Sequence, residues 1–321
     1  MGRLKFIASA SAVVSAKRFC SMNNNTDFLA PVGVSAYARL SHLVETVDAL
    51  RRNTLAVRSH VYFFSDAPRE GDEKAVAEVR GYLKKVDGFA SVTVIERAVN
   101  DYVGNNCGGI EFLLKCYGKV IFLEDDVVTA PGFLEFVNKG LINYKDDEDV
   151  FSIGGHTPNL YYLVGMGSDY YCTRRFHPWG FGIWKDRYDK VESIPKWNVI
   201  KKDFSVVRRL FSMGRDMLPM VRLEASGKLN AFDIRACFYM AGKKSRKMIL
   251  PKQTLVTNIG LDGTGEHCGP SDLYKNHKLW DNVEFNFDRS PGFRKILLLE
   301  YFFFYSSLNY IKRFKRRFFK V

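Results

Sequence analysis

Gly118-Lys119-Val120-Ile121-Phe122-Leu123-Glu124-Asp125-Asp126-Val127-Val128, followed by Pro131-Gly132-Phe133, decides the architecture of this chain. Residues 120–123 are apolar and β-prone, which suits a strand buried on both faces in a parallel sheet. Three carboxylates stand where that strand stops. Adjacent carboxylates repel one another and lose hydration unless cations meet them. Two readings are open. One is a hard divalent cation, Mn2+ or Mg2+, held through oxygen ligands. The other is an acidic turn before the helix that begins near residue 131, since carboxylates favour helix N-termini.

Upstream of this stretch, Pro31-Val32-Gly33-Val34-Ser35-Ala36 reads as a short buried strand, and Leu40, Leu43, Val44, Val47 and Leu50 mark a helix by their three- and four-residue spacing. His60-Val61-Tyr62-Phe63-Phe64-Ser65 is a second strand ending at Asp66. Residues 72–86 form an amphipathic helix, Ser91-Val92-Thr93-Val94-Ile95 a third strand, and residues 107–117 a helix leading into the strand at 119–123. Such alternation predicts right-handed crossovers and a mostly parallel α/β sheet flanked by helices. Ligands then gather outside the carboxyl ends of the strands, where Asp66 and the acidic triplet fall. Beyond residue 150, glycines, aromatics and polar residues mix, which predicts mixed strands and long loops rather than further crossovers.

The 321 residues are 46% hydrophobic, enough for a sizeable core, and carry a net charge of +13. Anionic partners follow from that charge. Residues 294–321 hold eight basic residues against one acidic, so much of the excess belongs to the tail. Its aromatic-basic run suits an anionic membrane surface, with a helix packed on the domain as the alternative. No basic stripe has nucleic-acid-module spacing, and no segment has the ~20 apolar residues of a membrane span. Residues 1–30 read as a weakly structured leader. The six cysteines are scattered without a CxxC pair, and read as reduced thiols in a cytoplasmic protein.

The stretch from Gly118 to Phe133 resembles the metal-binding segment of GT-A fold glycosyltransferases, Rossmann-like nucleotide-diphospho-sugar transferases. More narrowly, it is similar to bacterial sugar transferases related to N-acetylglucosaminyltransferase I. The resemblance covers residues 31–270 through Pro31 to Arg39, Trp179-Gly180-Phe181-Gly182-Ile183-Trp184, Phe232-Asp233-Ile234-Arg235 and Val256-Thr257-Asn258-Ile259-Gly260. It implies a domain over 31–293, followed by an amphipathic tail at 294–321. It implies an inverting transferase that takes a sugar from a nucleotide-sugar donor to a glycan or lipid-linked acceptor, working in cell-surface polysaccharide synthesis at the inner face of the membrane.

Residue by residue, the resemblance places Asp126 on the metal and Glu124 and Asp125 beside the nucleotide. Ala36 and Arg39 fall in the nucleotide-contacting loop, and Asp66 where a base is bound. A turn cap at Asp66 and a surface position for Arg39 are the plain alternatives. Asp233 is the expected catalytic base, against a helix cap or a pair with Arg235. Trp179-Gly180-Phe181-Gly182-Ile183-Trp184 reads as a glycine-aromatic loop, of which Trp179, Gly180, Phe181 and Gly182 are expected to line the acceptor side, against core packing with tight turns. The glycine-rich segment from Asn258 ends in Glu266-His267 where related enzymes have Thr-His, which weakens the expectation that His267 binds metal. A nucleotidyltransferase is the enzymatic rival, but Ser35-Ala36-Tyr37-Ala38-Arg39 has little of the glycine its phosphate loop needs. A non-enzymatic basic membrane-binding protein is the other.

Overall fold

The computed structural model describes residues 28–163, 166–263, 278–287, 301, 302, 304 and 305. In it, the first four strands are β1 (Val32–Ala36), β2 (His60–Ser65), β3 (Ser91–Glu96) and β4 (Lys119–Glu124). Between them run α1 (Leu40–Arg51), α2 (Glu73–Leu83) and α3 (Tyr102–Tyr117). The third helix begins five residues before the expected 107, because Asp101 accepts a hydrogen bond from the Gly104 amide and caps it. Then follow β5 (Val127–Thr129), α4 (Phe133–Asn143), β6 (Val150–Gly154), β7 (Tyr170–Thr173) and β8 (Phe181–Trp184).

The strands form a sheet of order β3-β2-β1-β4-β8-β6-β9-β7, where β9 is Lys247–Pro251. The pairs β3-β2, β2-β1, β1-β4 and β6-β9 are parallel. Only β7 and β8 run against the rest. The expected mixed α/β architecture, a large and mostly parallel sheet flanked by helices, is present. Side chains alternate faithfully across it. Val61, Phe63, Ile121 and Leu123 join the core on the α1–α2–α4 face. Tyr62, Phe64, Val120 and Phe122 join the opposite core with α3. That double burial is why the strands read as unbroken apolar runs.

Two expectations change. The segment between β8 and β9 is helical rather than loop-rich: α5 (Lys185–Tyr188), α6 (Trp197–Ile200), α7 (Phe204–Phe211), α8 (Met217–Ala225) and α9 (Phe232–Ala241). The apolar faces of α7–α9 pack into the core on the α3 side of the sheet. Phe181 to Trp184 is a sheet strand, not a loop, threaded between β4 and β6. Gly182 is needed there for packing, since a Cβ on it would stand 2.5 Å from the Val137 side chain.

Residues near both ends of the expected domain take part in the packing. Phe28 packs on Tyr117 and Ala30 donates its amide to Asn138 (2.8 Å), so the fold already includes residue 28. Tyr301 and Tyr305 are buried in the core. Both lie within the expected tail, whose start at 294 and basic end at 312–320 lie outside the described residues. Among the described residues no helix is long and apolar enough to cross a membrane. Cys107, Cys172 and Cys237 keep their thiols, but Cys116 is disulfide-bonded, which corrects the reading of six reduced thiols.

Candidate active site

β1 connects to β2 on one side and lies against β4 on the other, so the crevice outside β1 and β4 is the switch point of the sheet. Register places Ser35 opposite Glu124, so the chain after β1 and the acidic triplet leave the sheet together. Arg39, at the N-terminal end of α1, closes the gap. Its Nη2 donates to Asp125 Oδ1 (2.5 Å) and to Asp126 Oδ2 (2.7 Å). The Arg39 side chain is 23% exposed and each aspartate side chain 8%. Its Nη1 is buried and has no hydrogen-bond partner among the described residues.

Each carboxylate has a separate setting. Asp126 Oδ1 accepts from the Asn258 amide (2.9 Å), and its backbone carbonyl accepts from the Ile259 amide (2.9 Å). Asn258 reaches it because β10 (Val256–Asn258) pairs antiparallel with β5, setting Asn258 opposite Val127. Asp125 Oδ2 accepts a long bond from the Tyr37 amide (3.4 Å), and its carbonyl accepts from Thr46 Oγ1 (2.9 Å). Glu124 Oε2 accepts a long bond from the Tyr102 hydroxyl (3.4 Å). Gly260 presses its backbone on the pair: a Cβ there would lie 2.1 Å from Asp126 Oδ2 and 2.7 Å from Arg39 Nη1. Asn258 and Gly260 belonged to the expected loop, but no local pattern tied either to Asp126.

Burial, with Asp126 and Asp125 beside it, pushes the Glu124 carboxyl up to about 8. Burial also raises Asp125 above the ordinary carboxylate range, against the pull of Arg39. Three carboxylates thus share one guanidinium. Among the described residues no three His, Cys, Asp or Glu side chains converge to hold a metal ion. The donor set therefore fits a hard cation completed by ligand oxygens, the usual mode for such ions at phosphate groups, rather than a cage of protein groups.

The remaining expected residues are distributed around this crevice. Ala36 ends β1, and its carbonyl accepts from the Asp66 amide (3.0 Å). Asp66 is 3% exposed and its carboxylate accepts from the amides of Ala67 and Asp101 (3.0 Å each), so it clamps the turn bordering the crevice. Burial raises its carboxyl, and these backbone bonds oppose the shift. Asp233 lies at the second position of α9, close enough to Glu124 and Tyr102 to raise both. Its own carboxyl is raised by burial, with Arg175 and the backbone amides at the helix start pulling the other way. Arg235 is not its partner: it donates to Glu224 (2.7 Å) and Asn230 (2.8 Å).

Trp179 is half-buried at the entry to β8, with its ring 4.6 Å from that of the buried His156. Gly180, at φ +61°, forms the turn into the strand, while Phe181 and Gly182 lie inside the sheet. His267 lies outside the described residues.

Sequence reasoning missed a second cluster beneath Asp233. Arg175 forks onto Asp216 (2.8 and 2.7 Å) and lies 3.7 Å above the Tyr305 ring. The Tyr301 hydroxyl meets Tyr171 (2.7 Å) and His177 Nε2 (3.2 Å). Burial, aided by His156 and Arg175, holds His177 well below the usual histidine range, in its neutral form. No local signal joins residues so far apart in sequence.

No protein-family model matches the chain, and no curated protein matches it. Solved structures do. The mannosyltransferase PcManGT from Pyrobaculum calidifontis, in complex with GDP-Man and Mn2+, is 11% identical, with a TM-score of 0.37 over 73% of this chain and 78% of that one. GalNAc-T7 with UDP, GalNAc and Mn2+ is 12% identical, with a TM-score of 0.41 over 71% of this chain and only 43% of that one. The galactosyltransferase LgtC with donor and acceptor sugar analogues is 14% identical, with a TM-score of 0.31 over 65% of this chain and 69% of that one. Likenesses this distant carry no argument about function, which rests on the site itself.

Proposed function

We propose that this chain is a metal-dependent, inverting glycosyltransferase of the GT-A type. It moves a hexosyl or N-acetylhexosaminyl group from a nucleotide-sugar donor to a glycan or lipid-linked acceptor, in cell-surface polysaccharide synthesis. The observation that carries this reading is Arg39 at the switch point: one nitrogen bridges Asp125 and Asp126, and the other is a buried donor without an acceptor among the described residues. An unpaired buried N–H costs about 1–3 kcal/mol, so the site favours an anion there. The surplus of carboxylates favours a cation in the same place. A nucleoside diphosphate with a divalent ion answers both demands together.

When bound, Mn2+ or Mg2+ supplies neutralisation of the departing diphosphate. Asp126 is the protein ligand for it, with His267 as a second. Arg39 donates to a diphosphate oxygen, while Glu124 and Asp125 shape the nucleotide side, and Ala36 and Asp66 hold its border. Asp233 takes the proton of the acceptor hydroxyl onto a carboxylate oxygen. Burial raises its proton affinity, which suits a general base, while Arg175 pulls the other way. Trp179 and Gly180 face the acceptor at the rim, with Phe181 and Gly182 supporting them from the sheet. The basic end of the tail holds the protein to an anionic membrane, on its cytoplasmic side.

The test is slow hydrolysis of nucleotide sugars, screened across donors with Mn2+ and with EDTA. Hydrolysis of at least one donor is expected only with metal, and Asp126→Asn should abolish it. Asp233→Asn should bind the same nucleotide normally yet lose transfer. Hydrolysis that persists in EDTA, or in Asp126→Asn, sinks the reading.

A further inference from the structure

A second feature of the same sheet edge is a cleft of about 710 Å3, away from the acidic triplet. Its walls come from two segments, residues 157–161, 163 and 166 after β6 and residues 252–254 after β9, with Lys278 closing one side. β6 and β9 are parallel to each other. Because β8 is antiparallel to both β4 and β6, β6 also points the same way as β4. The carboxyl ends of β1, β4, β6 and β9 therefore open on one rim. From β4, β6 is two strand positions away and β9 three, so the cleft lies about 10–15 Å from the acidic triplet along that rim. Trp179 sits between them: its ring packs on His156, the residue preceding Thr157 of the cleft.

The chemistry of the cleft is layered. Leu160 and Leu163, both nearly buried, give it an apolar floor. Thr157 and Thr254 are cross-tied beside it, the Thr157 amide donating to Thr254 Oγ1 (3.2 Å). The exposed rim carries Asn159, Gln253 and the ring of Tyr161, which is 79% exposed. Amide side chains both donate and accept, as sugar hydroxyls require, and an aromatic face receives the C–H face of a sugar ring. Two ammonium groups complete it. Lys278 is exposed. Lys252 stands 3.5 Å from Asp169 and 5.2 Å from the Trp280 ring. With Asp169 offsetting one lysine, the mouth keeps a positive charge.

We propose that this cleft binds an acidic oligosaccharide, one bearing a carboxylate or phosphate substituent, and that it holds the distal end of the acceptor while the reacting hydroxyl lies near Asp233. The acceptor role rests on the glycosyltransferase reading; the acidic-saccharide site stands on the cleft alone. The separation along the rim matches a short oligosaccharide rather than a single sugar.

The test is calorimetric binding to the full-length protein of three probes: neutral maltotriose, maltotriose carrying a 6-phosphate, and tri-galacturonic acid. At least one acidic probe should bind about tenfold more tightly than maltotriose, from charge-assisted contacts. Which of the two does so identifies the acidic group. Lys252→Gln with Lys278→Gln should erase the preference, and Lys278→Gln alone, at an exposed position, should reduce it without touching the fold. Asp126→Asn should leave it unchanged. The bound probe should also be retained when nucleoside diphosphate and Mn2+ are added. Equal affinity for neutral and acidic probes, a preference indifferent to the lysine substitutions, or mutual exclusion with the nucleotide would overturn the proposal. Acidic-probe binding without metal-dependent donor hydrolysis would leave the cleft standing and remove the transferase reading; hydrolysis without probe binding would do the reverse.

Discussion

Arg39→Met removes the guanidinium from between Asp125 and Asp126 while keeping a side chain of similar length. In the native chain one nitrogen serves both carboxylates at 2.5 and 2.7 Å. Breaking a fully buried pair costs about 3–5 kcal/mol, because the partner charge is left stranded. Arg39 is 23% exposed, so water screens part of that loss, and about 2–3 kcal/mol is expected. In EDTA this lowers the thermal midpoint by roughly 3–5 °C for a chain of this size. The same guanidinium occupies the carboxylate oxygens that a cation needs. The variant should therefore bind Mn2+ alone more tightly than the native chain does. Mn2+ at about 100 times the variant's Kd restores roughly 2.7 kcal/mol, enough to recover most of the loss. Differential scanning fluorimetry in EDTA and across a Mn2+ series measures both effects. Arg39→Lys, a point charge without the planar fork, should fall between. An unchanged midpoint in EDTA, or an equal Mn2+ response in both proteins, refutes the reasoning.

Other consequences are more local. Gly260→Ala forces a methyl onto Asp126 Oδ2 and Arg39 Nη1, and should lower nucleotide affinity by calorimetry while costing about 1–3 kcal/mol of stability by urea denaturation. Glu124 keeps its proton in the folded chain up to about pH 8, whereas the unfolded chain ionises near the ordinary carboxylate value. Its contribution to stability is therefore full below that ordinary value and declines as pH rises toward 8. Urea midpoints of the ligand-free chain should fall across that window, and Glu124→Gln should flatten the fall relative to the native protein. Tyr301→Phe breaks hydroxyl contacts to Tyr171 and His177, and should cost about 1–2 kcal/mol although it lies in the supposed tail. A loss near zero would mean that this segment does not belong to the domain core.

The first half of the chain determined its own architecture. Runs such as Val61-Tyr62-Phe63-Phe64 alternate between two cores, and Leu43, Val47 and Leu50 turn one helix face inward. Period and length are properties of contiguous residues, so the elements and the place of the acidic triplet at a strand's end could be read directly. The second half could not. Phe181-Gly182-Ile183-Trp184 looks like a glycine-aromatic loop until β4 and β6 flank it as partners. The helices between residues 185 and 241 owe their burial to a core assembled from distant segments. Tyr301 and Tyr305 looked like part of a membrane-seeking tail because only the folded chain brings Tyr171, His177 and Arg175 to them. At the site, the sequence supplied the carboxylates and Arg39 as separate candidates. Their union at 2.5–2.7 Å, the grip of Asn258 on Asp126 and the closeness of Gly260 depend on β1, β4 and β10 meeting at one edge. Spacing along a chain reports which face a residue takes, but contact between residues about a hundred positions apart is settled by how the layers pack.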